Sequence, residues 1–329
     1  GCIGTLLGAE NKGMRAMFVM MNEARLHVGM QGLACAGASY LYALNYARER
    51  VQGAALTAAK GSPGVPILRH PDIRRSLLSM KTFSEGMRSL LLYVGFLEDM
   101  ITVSTDETDK ARLQGLIDVL IPVAKGYVTD RAFEICSQGL QVFGGYGYTK
   151  EYPQEQLLRD CRITLIYEGT NGIQAMDLLA RKLALNHGRA FMDLVTEVEQ
   201  TIAHAQKDAN LAPLAGIVQT TLTHLKETAG KLAGDLGSEN ILTAFAHAHP
   251  FLDVFGDTLM GWMLLWRAVT ARERLAGSPK KKDAVFYQGQ ITGARFFIRT
   301  ILPVAQAKMA VIQTGDTSAL DMADAAFGT

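Results

Sequence analysis

The sequence has no excess of either charge: 33 Lys and Arg stand against 32 Asp and Glu. So balanced a chain carries no electrostatic footprint for nucleic acid and no acidic tail, and a small neutral or anionic ligand is the expected partner. Cysteine is scarce. Its four positions, Cys2, Cys35, Cys136 and Cys161, contain no C-x-x-C pair, which fits buried thiols in a reducing compartment better than disulfides or zinc. No apolar run reaches the roughly 18 residues of a membrane span, and no charged-then-apolar leader precedes the first helix, so a cytoplasmic protein without a transmembrane segment is expected. No strand-rich segment follows residue 13, and no internal repeat is present. His247 and His249 sit at alternate helix positions that point apart, so no metal site is expected from them.

What the chain does have is apolar residues, 48% of its 329, ample for buried helical cores in about two domains. Residues 1–13 read as the end of a strand and turn, and the start at Gly1 suggests a fragment. From Met14 to Arg50 the spacing of Met17, Phe18, Met21 and Val28 predicts one long helix, crowded in its middle with Gly29, Gly32, Ala34, Ala36 and Gly37. Such small residues let a neighbour come close. Gly53 to Pro66 is a loop, and His70-Pro71 opens a second helix whose Ile73, Leu77, Met80, Met87, Leu91 and Val94 form a near-heptad seam. A third helix, kinked at Pro122, runs to Val142. A short helix from Pro153 to Leu158 and a fourth long one from Gly172 to Leu185, capped by His187-Gly188, follow. A domain boundary falls at Gly188. Further helices are expected near Phe191 to Ile202 and at Leu214 to Leu236, Phe251 to Ala276 and Asp283 to Thr314; Lys280 to Lys282 is a solvated turn.

The chemistry is concentrated between Ser137 and Gln174. Backbone amides at Gly144 and Gly145 can approach a phosphate, because glycine tolerates positive φ and leaves no side chain in the way. Glu168, on a Tyr-Glu-Gly-Thr loop just before a helix, can face a bound substrate as a base. In order and spacing, the Gln141 to Gly145 turn, Glu151-Tyr152-Pro153, Arg159-Asp160 and Tyr167-Glu168-Gly169-Thr170 closely resemble the C-terminal signature of the acyl-CoA dehydrogenases. Met21 to Arg25 and Tyr46 to Arg50 match family segments as well, so the resemblance covers residues 14 to 186. It implies an all-α fold: residues 1–13 as the residual end of a middle β domain, 14–188 as a four-helix bundle, and 189–329 as a smaller helical extension like that of the larger members.

The resemblance also implies a function and its residues. Members are FAD enzymes that introduce an α,β double bond into acyl-CoA thioesters. Glu168 is implied as the base that takes the α-proton while a hydride leaves to FAD. The proton is weakly acidic, so a close, desolvated base and donors for the enolate oxygen are needed. Arg25, Asn22, Tyr167 and Gly169 are implied at the substrate, with Asn22 standing where many relatives have aspartate. A buried Arg25 needs an anionic partner, which a phosphate or Glu168 would supply. Arg50, Gln52, Gln141, Gly144 and Gly145 are implied at the flavin of a neighbouring subunit, and Thr170 and Gly172 at that of the same subunit. Expected partners are an acyl-CoA, electron-transfer flavoprotein or a similar acceptor, and further copies in a homo-oligomer. The alternatives are an acyl-CoA oxidase and a non-catalytic helical dimerisation or scaffold module; the fragment alone is expected to be inactive.

Overall fold

The computed structural model describes residues 1–328, and only the backbone at Arg15, Phe18 and Val19, so the periodicity at Phe18 and the end of the chain at Thr329 lie outside the described residues. Among the described residues the fold is all-α, with no strand; Val51 and Pro66 form an isolated antiparallel bridge. The strand end expected before Gly13 is not there: residues 1–7 have no regular structure and a turn follows, with the Lys12 N–H on Ala9 O.

The first half consists of α1 (Gly13–Glu49), α2 (Pro71–Val103), α3 (Glu107–Pro122), α4 (Val128–Phe143), α5 (Gln154–Arg162) and α6 (Asn171–Asp177). Proline stands at the first turn of α2, where its missing N–H costs nothing. Asp106 caps α3 by accepting from the Thr108 N–H at 2.8 Å, with Glu107 and Asp109 adding negative charge to the first turn. The kink expected at Pro122 takes a specific form, a widened π turn over Val123–Tyr127 that joins α3 to α4. A second π turn, Leu178–Lys182, continues α6. The small-residue face of α1 lies against this framework: a Cβ at Gly29 would stand 2.1 Å from the Ala124 carbonyl oxygen, and one at Gly32 would stand 3.2 Å from Thr129. The backbones of α1 and the π turn touch there, which no larger residue would allow.

The second half is α7 (Arg189–Ala205), α8 (Ala212–Leu236), α9 (Ile241–Ala246), α10 (Ala248–Ala276), α11 (Lys281–Thr300), α12 (Leu302–Thr314) and α13 (Ser318–Asp321). The single helix expected over Asp283 to Thr314 is broken at Ile301, because Pro303 in the following turn removes a backbone donor. Helix α10 is central. From Phe251 to Leu265 every residue except Asp253 is buried, the signature of a helix covered on all sides. It packs on α2, which therefore has two buried faces: the heptad seam turns inward on the bundle, while Phe83, Gly86 and Tyr93 meet α10 and α11. Phe83 meets Phe297 edge-on at 5.0 Å, Tyr93 meets Trp262 at 5.2 Å, and a Cβ at Gly86 would lie 2.9 Å from Met260 Sδ. Buried apolar residues from Leu26 to Ile312 form one contiguous core.

Trp262 is one join between the halves: it is 1% exposed, meets Tyr93 on α2, and is anchored within the second half by donating from Nε1 to Thr201 Oγ1 at 2.8 Å. Trp262→Ala is expected to destabilise the chain by about 3–5 kcal/mol, read as a lower urea midpoint; a loss below about 1 kcal/mol would show that α10 is not the centre of the core.

Candidate active site

Glu168 lies in the turn between α5 and α6. It and Gly169 both hold left-handed backbone, with φ of 57° and 84°; for the glutamate this costs of order 1 kcal/mol. The surroundings hold it there. Gln174, fully buried on α6, donates from Nε2 to the carbonyls of Glu168 at 3.3 Å and Gly169 at 3.4 Å. Thr170 caps α6 by accepting from the Ile173 N–H at 3.3 Å. On the other side of the glutamate the Tyr167 hydroxyl donates to Gln31 Oε1 on α1. Burial and the neighbouring Glu168 carboxylate raise the Tyr167 phenol above its ordinary pKa.

Arg25 is 4% exposed and faces this loop from α1, with a terminal nitrogen near Gly169. The anionic partner expected for it, a phosphate or Glu168, is in fact Asp177 at 3.4 Å, with Asn22 Oδ1 at 3.3 Å. Asp177 is itself 3% exposed and shared with Arg181, whose Nε donates to Oδ1 at 2.6 Å. Burial pushes the Arg25 guanidinium below its ordinary pKa, Asp177 pulls it back up, Arg181 lowers it again, and the Glu168 carboxylate raises it. Arg25 Nε is buried without a partner. Asn22, Arg25, Tyr167, Gly169 and Glu168 are thus brought together, with Thr170 and Gly172 exposed beside them.

The first turn of α6 rests on residues that the sequence reading missed. Lys125, fully buried in the π turn, donates from Nζ to Asn171 Oδ1 at 2.7 Å. Asn171 Nδ2 donates to the Gly126 carbonyl at 3.0 Å and to Asp130 Oδ1 at 2.8 Å. The one local signal is a lysine inside the otherwise apolar run Ile121 to Val128.

Arg50, Gln52, Gln141, Gly144 and Gly145 meet in a separate groove of about 850 Å³, which Glu168 does not line. Helix α4 ends there because Gly144 takes φ 61°, ψ −142°, and a Cβ at either Gly144 or Gly145 would meet nothing within 4 Å. The Arg50 guanidinium stands over the Tyr146 ring, 5.4 Å from its centroid. The loop from Val51 to Pro66 is clipped to the groove by Gln52 N–H on Val65 O and by His70 Nε2 against Gln52 O at 2.8 Å. An arginine beside open glycine amides makes an anion cradle.

The four cysteines are free. The expectation of buried thiols holds for Cys136 and Cys161, whereas Cys35 is half-buried and Cys2 exposed; hydrogen bonding to Cys136 and burial push the Cys161 thiol up to about 12, as suits an inert thiol. His247 and His249 do not pair: His249 Nε2 meets Asp130 Oδ2 at 3.1 Å. Among the described residues no cluster of metal-binding side chains occurs, and no helix is long and apolar enough to cross a membrane.

Burial lowers the Lys125 ammonium from an ordinary 10.5 to about 8; Asp130 raises it, Arg25 lowers it and Glu168 raises it. Below pH 8 the folded chain carries the full cost of a charge its site disfavours. That cost fades as the pH rises from 8 through 10.5, where the unfolded lysine also loses its proton. Lys125→Met is therefore expected to lose the rise in stability that the wild type shows between pH 8 and 10.5, while leaving Asn171 Oδ1 without its lysine donor at every pH. A stability difference between variant and wild type that stays constant from about pH 7 to 10.5, measured by denaturant titration, would contradict this.

Comparison with known proteins identifies the family. The family described as "Acyl-CoA dehydrogenase, C-terminal domain" matches residues 11–183, and "Acetyl-CoA dehydrogenase C-terminal like" matches residues 194–323. The chain is 38% identical to the 3-methylmercaptopropionyl-CoA dehydrogenase of Ruegeria pomeroyi over 95% of its own length and 53% of the relative's. It is 32% identical to the broad-specificity linear acyl-CoA dehydrogenase FadE5 of Mycobacterium tuberculosis, over 98% of this chain and 54% of that protein. The chain thus spans about half the length of the curated relatives it matches. In fold it is similar to Caenorhabditis elegans ACDH-11, solved in complex with C11-CoA, with a TM-score of 0.74 and 19% identity over 97% of this chain and 50% of that one. The chain belongs to the acyl-CoA dehydrogenase family.

Proposed function

We propose that the chain is the C-terminal helical part of an FAD-dependent acyl-CoA dehydrogenase, residues 14–188 forming the bundle and 189–329 the extension, and that Glu168 is its catalytic base. The observation that carries this reading is the placement of Glu168: a carboxylate in a left-handed turn, braced from behind by Gln174 and Tyr167, beside a buried arginine. A backbone so held presents its carboxylate to an acidic C–H from a fixed point on the chain, so less order has to be imposed on binding. It takes the α-proton of the thioester, and the Glu168 backbone N–H supports the charge that develops on the thioester oxygen. Arg25 binds the CoA end. Its partnerless Nε is a donor held in reserve for an acceptor the free chain does not provide.

The groove around Arg50 fits the phosphate end of a dinucleotide, since its glycines are open and its cation is beside them. Bound there, FAD supplies the hydride acceptor. As the family resemblance implies, Arg50, Gln52, Gln141, Gly144 and Gly145 hold the flavin of a neighbouring subunit and Thr170 and Gly172 that of their own; the first set shares one groove, which the second does not line. A homo-oligomer follows from this assignment, with electron-transfer flavoprotein or a similar acceptor as the redox partner.

In the full-length enzyme Glu168→Gln is expected to keep FAD and acyl-CoA binding and to slow flavin reduction at least ~10²-fold in an anaerobic stopped-flow experiment. Arg25→Ala is expected to weaken acyl-CoA binding as well as rate. Reduction by the Glu168→Gln variant at close to the wild-type rate would place the base elsewhere.

A further inference from the structure

The π turn Val123–Tyr127 is buried throughout and meets the start of α6, next to the Glu168 loop, on one side and α10 on the other. Toward the loop, Lys125 and the Gly126 carbonyl hold both ends of the Asn171 amide. Toward α10, the Tyr127 hydroxyl donates to Asp257 Oδ1 at 2.7 Å, and both residues are almost fully buried. The Tyr127 ring lies so close to α10 that a Cβ at Gly256 would stand 2.1 Å from it. Gly126 fills the slot between the halves: a Cβ there would be 2.8 Å from Leu252 on α10 and 3.1 Å from Gln174, the residue that braces the Glu168 carbonyl. A second tie runs beside the first, from His249 on α10 through Asp130 to Asn171.

We propose that α10 sets the position of the Glu168 loop through this π turn, with Tyr127 and Lys125 as positioning residues, so that the C-terminal helices are a working part of the active site. The proposal rests on the reading of Glu168 as the base. Three features carry it. The turn is tightly packed on α10, since a Cβ at Gly256 would collide with the Tyr127 ring and one at Gly126 would crowd Leu252 and Gln174. Its two polar side chains point to opposite neighbours, so a displacement of α10 passes to Asn171. And a buried lysine is a poor choice for stability alone, where an apolar residue of similar size is cheaper. π turns inside helices are frequent at functional sites for this kind of offset.

The test uses the full-length enzyme with Tyr127→Phe, Lys125→Met and the double variant, measuring hydrogen exchange across residues 166–178 and flavin reduction at saturating acyl-CoA. Each single variant is expected to raise exchange in that segment and to slow reduction about tenfold, with acyl-CoA affinity within about twofold of wild type. Because the residues act in series, the double variant is expected to be no worse than the more severe single one. Unchanged exchange in Tyr127→Phe overturns the proposal, as do additive effects and loosening spread evenly over all helices. Should either variant fold poorly, Asp257→Asn tests the same link from the α10 side under the same criteria. Exchange does not depend on the chemical step, so its response reports on the tie even where Glu168→Gln shows that the base lies elsewhere.

Discussion

The side-chain amide of Asn171 is the joint on which the active-site region depends. Its oxygen accepts from a fully buried lysine, and its nitrogen donates to a π-turn carbonyl and a carboxylate. In a site of low dielectric a network that is satisfied holds firmly, and one missing member is expensive. Because these bonds fix where α6 starts, they fix Thr170 as its cap, and two residues earlier they fix the left-handed turn at Glu168. The glutamate itself needs few contacts. Its position is inherited from the helix that follows it.

A polar seam of this kind is costly inside an otherwise apolar molecule. Lys125, Arg25, Asp177 and Asp257 are all at least 95% buried, and each is paired with another polar group. The core would close without them: Phe83, Tyr93, Trp262 and Phe297 already join α2 to the C-terminal helices. Lys125, Arg25 and Asp177 gather around the Glu168 loop and Asp257 meets the π turn from α10, which fits a molecule in which packing supplies stability and the polar groups supply position.

Much of the helical framework was legible in the sequence for local reasons. Apolar spacing marked α1 and the bundle-facing seam of α2, Pro71 marked a helix start, and Gly144 marked a helix end. The second buried face of α2 was not visible, because Gly86 contributes to it by having no side chain and Thr82 does not count as apolar. Helix α10 is apolar on nearly every side, so its periodicity named no partner. The break at Ile301 was overlooked because apolar spacing continues across Pro303. At the site, Glu168 and the Gly144-Gly145 turn lay in one short signature. Their supports did not: Asn171 finds Lys125 across 46 residues and Arg25 finds Asp177 across 152, separations at which no helical or turn pattern operates. A lysine within Ile121 to Val128 was the sole hint.

The central claim is that the Glu168 loop serves as the proton-abstracting site of an acyl-CoA dehydrogenase. It is tested most directly by adding a set of saturated acyl-CoA thioesters to the oxidised full-length protein without oxygen and following the exchange of their α-hydrogens with deuterated water together with the flavin absorbance. The account predicts that at least one thioester both exchanges its α-hydrogen and bleaches the flavin. A protein that binds FAD and acyl-CoA yet catalyses neither exchange nor bleaching with any of them would contradict it.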